Sequence, residues 1–241
     1  MSTVDSDAAH PGLQPADGTP APSRLETRLP PLLSVIAGMV DLTGFLNLGN
    51  VFTAHITGNL VVIAALVVRR GRINPAQILA IPVFILAVAA TWVLARASGK
   101  RGPALMRLLL RVQLLLLTFV WMFSVITKPS ATPHGATSDI TAMMAVSAMA
   151  CQFALLRLAL PVAPSTAVMT GNLTNAVLSS LNMISRTQPS TAADTARLKA
   201  SLGLLLGFLG GCVAAAAGVT YLGDWAWAFP VVLAGVAAVL P

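Results

Sequence analysis

Eight apolar segments follow one another along this chain, and the stretches between them are too short to build anything else. They run Leu32–Asn50, Thr57–Val68, Ala76–Ala97, Met106–Thr127, Ile140–Leu160, Met169–Ile184, Leu198–Tyr221 and Trp225–Leu240. Six approach or exceed the roughly 20 residues that a helix needs to cross a bilayer. The two that begin at Thr57 and Met169 are shorter. With 10% charged and 56% apolar residues, against about 25% charged in a soluble domain, the pattern predicts an all-α polytopic membrane protein. Its solvent is the lipid bilayer.

The formal net charge of +7 invites a nucleic-acid reading. The Lys and Arg residues sit at the ends of apolar runs, as topogenic charges do, and no basic stripe interleaved with aromatics is present. A nucleic-acid partner is therefore excluded. Residues 1–29, rich in Pro, Ala, Asp, Ser and Gly, have no apolar core of the kind a cleavable signal requires. They are expected to be a disordered tail, with one transmembrane domain over 30–241. The first helix is expected to act as the targeting signal.

Cys151 and Cys212 lie inside apolar segments, and His10, His55 and His134 are scattered, so no metal-ligand spacing arises. Neither a nucleophile elbow, a Walker loop, HExxH nor a dinucleotide fingerprint occurs. An enzyme is not expected, nor a cofactor. Gly203, Gly207, Gly210, Gly211 and Gly218 form a small-residue series suited to close helix packing, and Trp121, Trp225 and Trp227 read as interface anchors.

The tetrapeptide Thr-Gly-Asn-Leu occurs at Thr57–Leu60 and again at Thr170–Leu173. Each copy follows a polar or proline-marked break, Asn50–Ile56 and Pro161–Val168, and each opens a short apolar segment. An ungapped offset of 113 residues, the separation of Thr57 and Thr170, also superposes Thr53 on Thr166. The order long, break, short, long, long is shared by residues 31–127 and 140–241. The chain thus reads as two related halves. If both short helices are re-entrant, about six full spans remain, three per half, and the repeat is inverted. Most Lys and Arg residues then share the side of the N-terminus, which becomes cytoplasmic.

Irregular backbone survives in a bilayer only where it is packed in protein or lines a wet cavity, and paired broken helices build binding sites in inverted-repeat transporters. The candidate substrate-binding residues are Thr57, Gly58, Asn59, Thr170, Gly171, Asn172 and Asn175. Thr57 and Thr170 would cap the short helices, the glycines would allow close approach, and the amides offer donors and acceptors. Facing helix starts would favour an anionic or carbonyl-rich solute. Alternatively these are helix starts packed on one another.

Asp41 is the only acidic residue well inside an apolar segment, at a cost of about 2.5–3.5 kcal/mol on insertion scales. It shares a helical face with Gly38, Gly44 and Leu48. It is either a coupling carboxylate or a structural one that pairs with backbone or with Arg157. Arg157 itself either snorkels to the interface or forms that ion pair, and His55 is a candidate proton shuttle or a packed imidazole.

Two stretches, Gly38-Met-Val-Asp41 running into Phe45-Leu-Asn-Leu-Gly49-Asn-Val-Phe52 and Thr57-Gly-Asn59, and Cys151-Gln152 through Arg157 to Val168-Met-Thr-Gly171-Asn-Leu-Thr174, resemble the YoaK family of uncharacterised bacterial inner-membrane proteins. Where that family tends to carry Gly-x-Gln-Asn-Ala, this chain reads Ala150-Cys-Gln-Phe-Ala154. The resemblance implies a multi-pass protein of the bacterial cytoplasmic membrane and names no substrate. The function expected is a secondary transporter or permease for a small solute, anionic ones included. The alternative is a non-transporting scaffold or assembly partner. A homo-oligomer is compatible with either.

Overall fold

The computed structural model describes residues 24–71, 73–161, 163–166, 168–185 and 192–240. Among them there are helices and no strand: α1 (Arg24–Asn47), α2 (Ile56–Val68), α3 (Pro75–Ala97), α4 (Gly102–Thr127), α5 (Ala136–Ala159), α6 (Met169–Ile184), α7 (Ala192–Leu222) and α8 (Ala228–Val239), with 3-10 turns at Pro129–Ala131 and Gly223–Trp227. Five helical stretches are long and apolar enough to cross a membrane. The fifth, Asp194–Val239, runs from α7 through the second 3-10 turn into α8. The surface they present is apolar: Leu86 on α3, Ile126 on α4, Leu206 on α7 and Val232 on α8 are all more than half exposed. So large an apolar exterior calls for lipid rather than water.

Most of the segment boundaries follow local chemistry. Asn74 caps α3 by accepting from the Ala76 amide at 3.0 Å, with Pro75 in the first turn, where its missing N–H costs nothing. Gly49 and Asn50, both at positive φ, turn the chain back after α1. Helix α1 starts earlier than the sequence suggests, taking up residues 24–29 of the segment read as tail; residues 1–23 lie outside the described part. Pro30 and Pro31 sit inside it. Buried Leu29 and Leu33 repeat one turn apart across the prolines, so packing outweighs the lost hydrogen bonds.

Helices α1 and α7 make the most extensive contact. They run parallel: Pro31 lies against Gly203 and Gly207, Val35 against Gly207 and Gly211, and Gly38 against Phe208 and Cys212. A Cβ on Gly38 would come within 2.2 Å of the Phe208 carbonyl oxygen, and one on Gly211 within 2.2 Å of the Val35 carbonyl. The small-residue series is therefore a close-packing surface, reinforced by the Ser34 hydroxyl donating to the Leu204 carbonyl at 2.7 Å.

Contacts come in matched pairs under the 113-residue correspondence. Helix α5 packs on α3 as α1 packs on α7, α4 on α5 as α8 on α1, and α6 on α7 as α2 on α3, while α4 meets its own counterpart α8. One end of the bundle gathers the end of α1 and the starts of α3 and α5. There the Asn74 amide donates to the Leu48 and Gly49 carbonyls, and Gly49 abuts Pro133 and His134. Asp224 of the second 3-10 turn accepts from the Ser130 hydroxyl at 2.6 Å at that end. The ends of α3 and α5 and the start of α4 meet at the other end.

In the interior, the Gln113 side chain of α4 donates to Gln152 of α5 at 2.7 Å, and Gln152 donates to the Leu33 carbonyl of α1 at 2.9 Å. All three helices are thereby fixed in register. Trp227, expected at the interface, is fully buried in the core; Trp225 is exposed and meets Trp121 edge to face at 5.8 Å. The short turn after α7 points one indole inward, because α8 must begin at once and its neighbours α1 and α4 cover that side.

Candidate functional site

The first break is organised by Asp41. Two turns before α1 ends, its carboxylate is 4% exposed as a residue. Its Oδ1 accepts from the backbone amides of Thr53, Ala54 and His55 at 2.8, 2.7 and 3.3 Å. Three successive N–H groups aimed at one oxygen form an anion-binding nest, here filled by the protein's own side chain. Oδ2 lies 2.7 Å from His55 Nδ1. The Thr53 hydroxyl donates to the Val40 carbonyl at 3.1 Å, so the break is strapped to α1 from both sides. Gly44 makes this possible: a Cβ there would meet Thr53 Cγ2 at 2.8 Å.

The pair sits where α1, the break and α7 meet. His55 presents its ring to Phe208 edge-on, centroids 5.0 Å apart, and keeps 31% of its side chain exposed against 6% for Asp41. Cys212 approaches from α7, its thiol 3.6 Å from the Gly38 carbonyl and within the field of Asp41. The arrangement is a buried acid joined to a half-exposed imidazole, which can pass a proton between an interior and a wetter position.

Asn59 holds the same break from the helix side. Its amide accepts from Phe52 N–H at 2.9 Å and donates to the Phe52 carbonyl at 2.8 Å, and the residue is fully buried. Gly58 leaves room for the Phe52 ring, 2.9 Å from where a Cβ would stand. In the second half, Asn172 donates to the Ser165 carbonyl at 2.9 Å. Ser165 is the 113-residue counterpart of Phe52. The repeated asparagine thus does one job twice, clasping the backbone seven residues before it. Gly171 packs near Val168.

Other expectations need correction. Thr57 and Thr170 do not cap. The cap positions fall two residues earlier, at His55 and Val168, with no side-chain cap bond, and both threonines are exposed on the first turn. The Asp41 nest already fixes the backbone at the first start, which leaves a hydroxyl cap nothing to do. Asn175 is exposed on α6. Arg157 is exposed in the last turn of α5, at the far end of the bundle from Asp41, so the two form no ion pair. The acid finds nearer partners in three amides and an imidazole, and an arginine at a helix end is hydrated at lower cost.

Sequence reasoning passed over Phe208 and Gln113, and took Cys212 only as a residue of an apolar segment. Gln113 carried a signal, a lone amide in mid-segment. Phe208 and Cys212 carried none, being apolar residues in an apolar helix.

Neither a curated protein nor a solved structure matches the chain. A family model does, over residues 29–240, which takes in most of α1, the helices α2 to α8 and both clasped breaks. The chain belongs to that family, DUF1275, described as proteins of unknown function.

Proposed function

We propose that this protein is a secondary transporter or permease for a small solute, anionic solutes included, and that the Asp41–His55 pair couples proton movement to opening of the first break. The observation that carries this reading is the nest itself. Only the carboxylate accepts from all three amides and the imidazole. Proton gain at Asp41 therefore weakens the strap that holds the break against α1. Solute would pass by the two helix starts, Thr57–Asn59 and Thr170–Asn172. The exposed Thr57, Thr170 and Asn175 side chains would meet it, and the buried Asn59 and Asn172 amides would shape the breaks.

Several features support an inverted repeat of three full spans per half, with α2 and α6 re-entrant. Helix α2 starts beside Asp41, about 10 Å below Leu48, and is about 20 Å long. Yet Asn74 is back at Leu48 and Gly49. The residues from Val68 to Asn74 reach at most about 21 Å, too little to return from the opposite face. Helices α1 and α7 run one way and α3 and α5 start from the other end, as counterparts of opposite sense would. Arg28, Arg96, Lys100, Arg101, Arg107, Arg157, Arg197 and Lys199 then share one face, against Arg69, Arg70 and Lys128 on the other. The positive-inside rule makes the richer face cytoplasmic, with the N-terminus on it. We place the protein in the bacterial cytoplasmic membrane, and within its family among the YoaK-like proteins, on the two motif stretches.

The full engagement of Asn59 with Phe52 also favours a second reading, a non-transporting scaffold whose breaks are packing devices. One assay separates the two. Proteoliposomes containing a pH-sensitive dye are challenged with a metabolite panel under an imposed proton gradient. Asp41→Asn, which keeps the shape of the acid, is expected to lower solute-dependent proton flux at least about a hundredfold, the low end of what one proton-transfer group contributes. No solute-dependent flux in the wild type, or equal flux in Asp41→Asn, would sink the coupled-transport reading.

A further inference from the structure

We infer that the end of the bundle opposite Asp41 carries a binding site for the headgroup of an anionic phospholipid. A cavity of about 480 Å³ opens between the last turns of α3 and α5 and the first turns of α4. That size falls within the roughly 300–1,000 Å³ of small-molecule sites. Its rim is Arg96, Lys100 and Arg101, and its floor is Ala95, Leu105 and Leu158.

Among the described residues, no carboxylate forms an ion pair with Arg96, Lys100 or Arg101. Arg96 lies over the ring of Trp92 at 5.0 Å, and that indole is 48% exposed. An arginine stacked on an exposed tryptophan at the end of a spanning helix marks the level of the lipid headgroups. Gly99 and Gly102 take positive φ with open space beside them, so the turn that carries Lys100 and Arg101 leaves the mouth unobstructed.

The floor decides between a lipid and a free anion. Leu158 is 36% exposed beside the buried Ala95 and Leu105, an apolar surface that suits the glycerol and upper acyl carbons of a lipid and offers a hydrated phosphate nothing. Basic pockets between spanning helices on the cytoplasmic side are suited to such headgroups. The inference rests on the membrane reading and is independent of transport, so an absence of flux leaves it standing.

The test is native mass spectrometry of the full chain titrated with phosphatidylglycerol, phosphatidylcholine or inorganic phosphate. Each basic residue near an anionic lipid is worth about fivefold in affinity. The triple variant Arg96→Gln, Lys100→Gln, Arg101→Gln is therefore expected to bind phosphatidylglycerol at least tenfold more weakly. The matching variant Arg69→Gln, Arg70→Gln, Lys128→Gln, at the other end, is expected to bind as the wild type does. Leu158→Trp keeps every cation and fills the floor; it is expected to weaken binding as well, and it carries the test if the triple variant fails to fold. Equal loss in both triple variants, wild-type binding by Leu158→Trp, equal retention of phosphatidylcholine, or binding of inorganic phosphate as tight as the lipid would each overturn the site.

Discussion

Removing the Asp41 side chain should release the first break while leaving the bundle assembled. In Asp41→Ala the amides of Thr53 and Ala54, which donate at 2.8 and 2.7 Å, and that of His55 at 3.3 Å, lose their acceptor. A hydrogen bond to a charged group contributes about 1.5–3 kcal/mol. Counting the two short bonds fully, and treating the long one and the exposed imidazole as minor, puts the loss at about 3–6 kcal/mol. The remaining straps, Thr53 to Val40 and Asn59 to Phe52, hold the break only locally. Opening should therefore become commoner by at least about a hundredfold, since 1.4 kcal/mol is tenfold.

Cys212, packed beside this cluster, reports it. In a Cys151→Ala background, the reaction of Cys212 with a small maleimide should quicken at least tenfold in Asp41→Ala. Asp41→Asn keeps an acceptor oxygen but loses the charge that strengthens the three bonds, so its labelling should fall between the parent and Asp41→Ala. Equal labelling of Asp41→Ala and the parent would refute the strap. So would labelling of Asp41→Asn at the parent rate, because loss of the negative charge would then leave the strap intact.

Two further outcomes follow from the packing. Gly38→Ala and Gly211→Ala each put a Cβ 2.2 Å from a carbonyl oxygen across the α1–α7 contact, which must part the helices at a cost of about 1–3 kcal/mol. Gly210→Ala, with nothing within 4 Å, should gain up to about 1 kcal/mol in helix propensity, and thermal unfolding in detergent separates the two signs. Asn59→Ala leaves both backbone groups of Phe52 without their partner in a part-buried setting, costing about 1–3 kcal/mol. Limited proteolysis of Val51–Ile56 should be faster in Asn59→Ala than in Thr57→Ala, whose exposed side chain caps nothing.

Much of the fold was legible in the chain. The apolar segments became helices because a bilayer leaves a backbone few other ways to satisfy its hydrogen bonds, and that demand is written in composition and length. Both breaks were legible as well, since Gly49, Asn50 and the prolines at 161 and 164 disrupt helix by local chemistry. Mistakes arose where a long-range partner intervened. Thr57 looked like a cap, and the cap position fell to His55 because Asp41 had already gathered the preceding amides. Arg157 looked like a mate for Asp41, and the two were placed at opposite ends. Trp227 looked interfacial, and the tight turn before α8 buried it.

The sequence by itself determined that this chain is helical, is apolar enough for lipid and carries one tetrapeptide twice, because periodicity, hydropathy and a shared motif are local properties that any window of the chain displays. Only the tertiary structure decided what the polar residues do. Asp41 meets a break twelve residues away, His55 of that break meets Phe208 of α7, and Asn59 closes on Phe52 in a geometry that no spacing implies. A polar group buried in an apolar interior must find partners wherever the fold brings them, and that meeting is a property of the packed bundle.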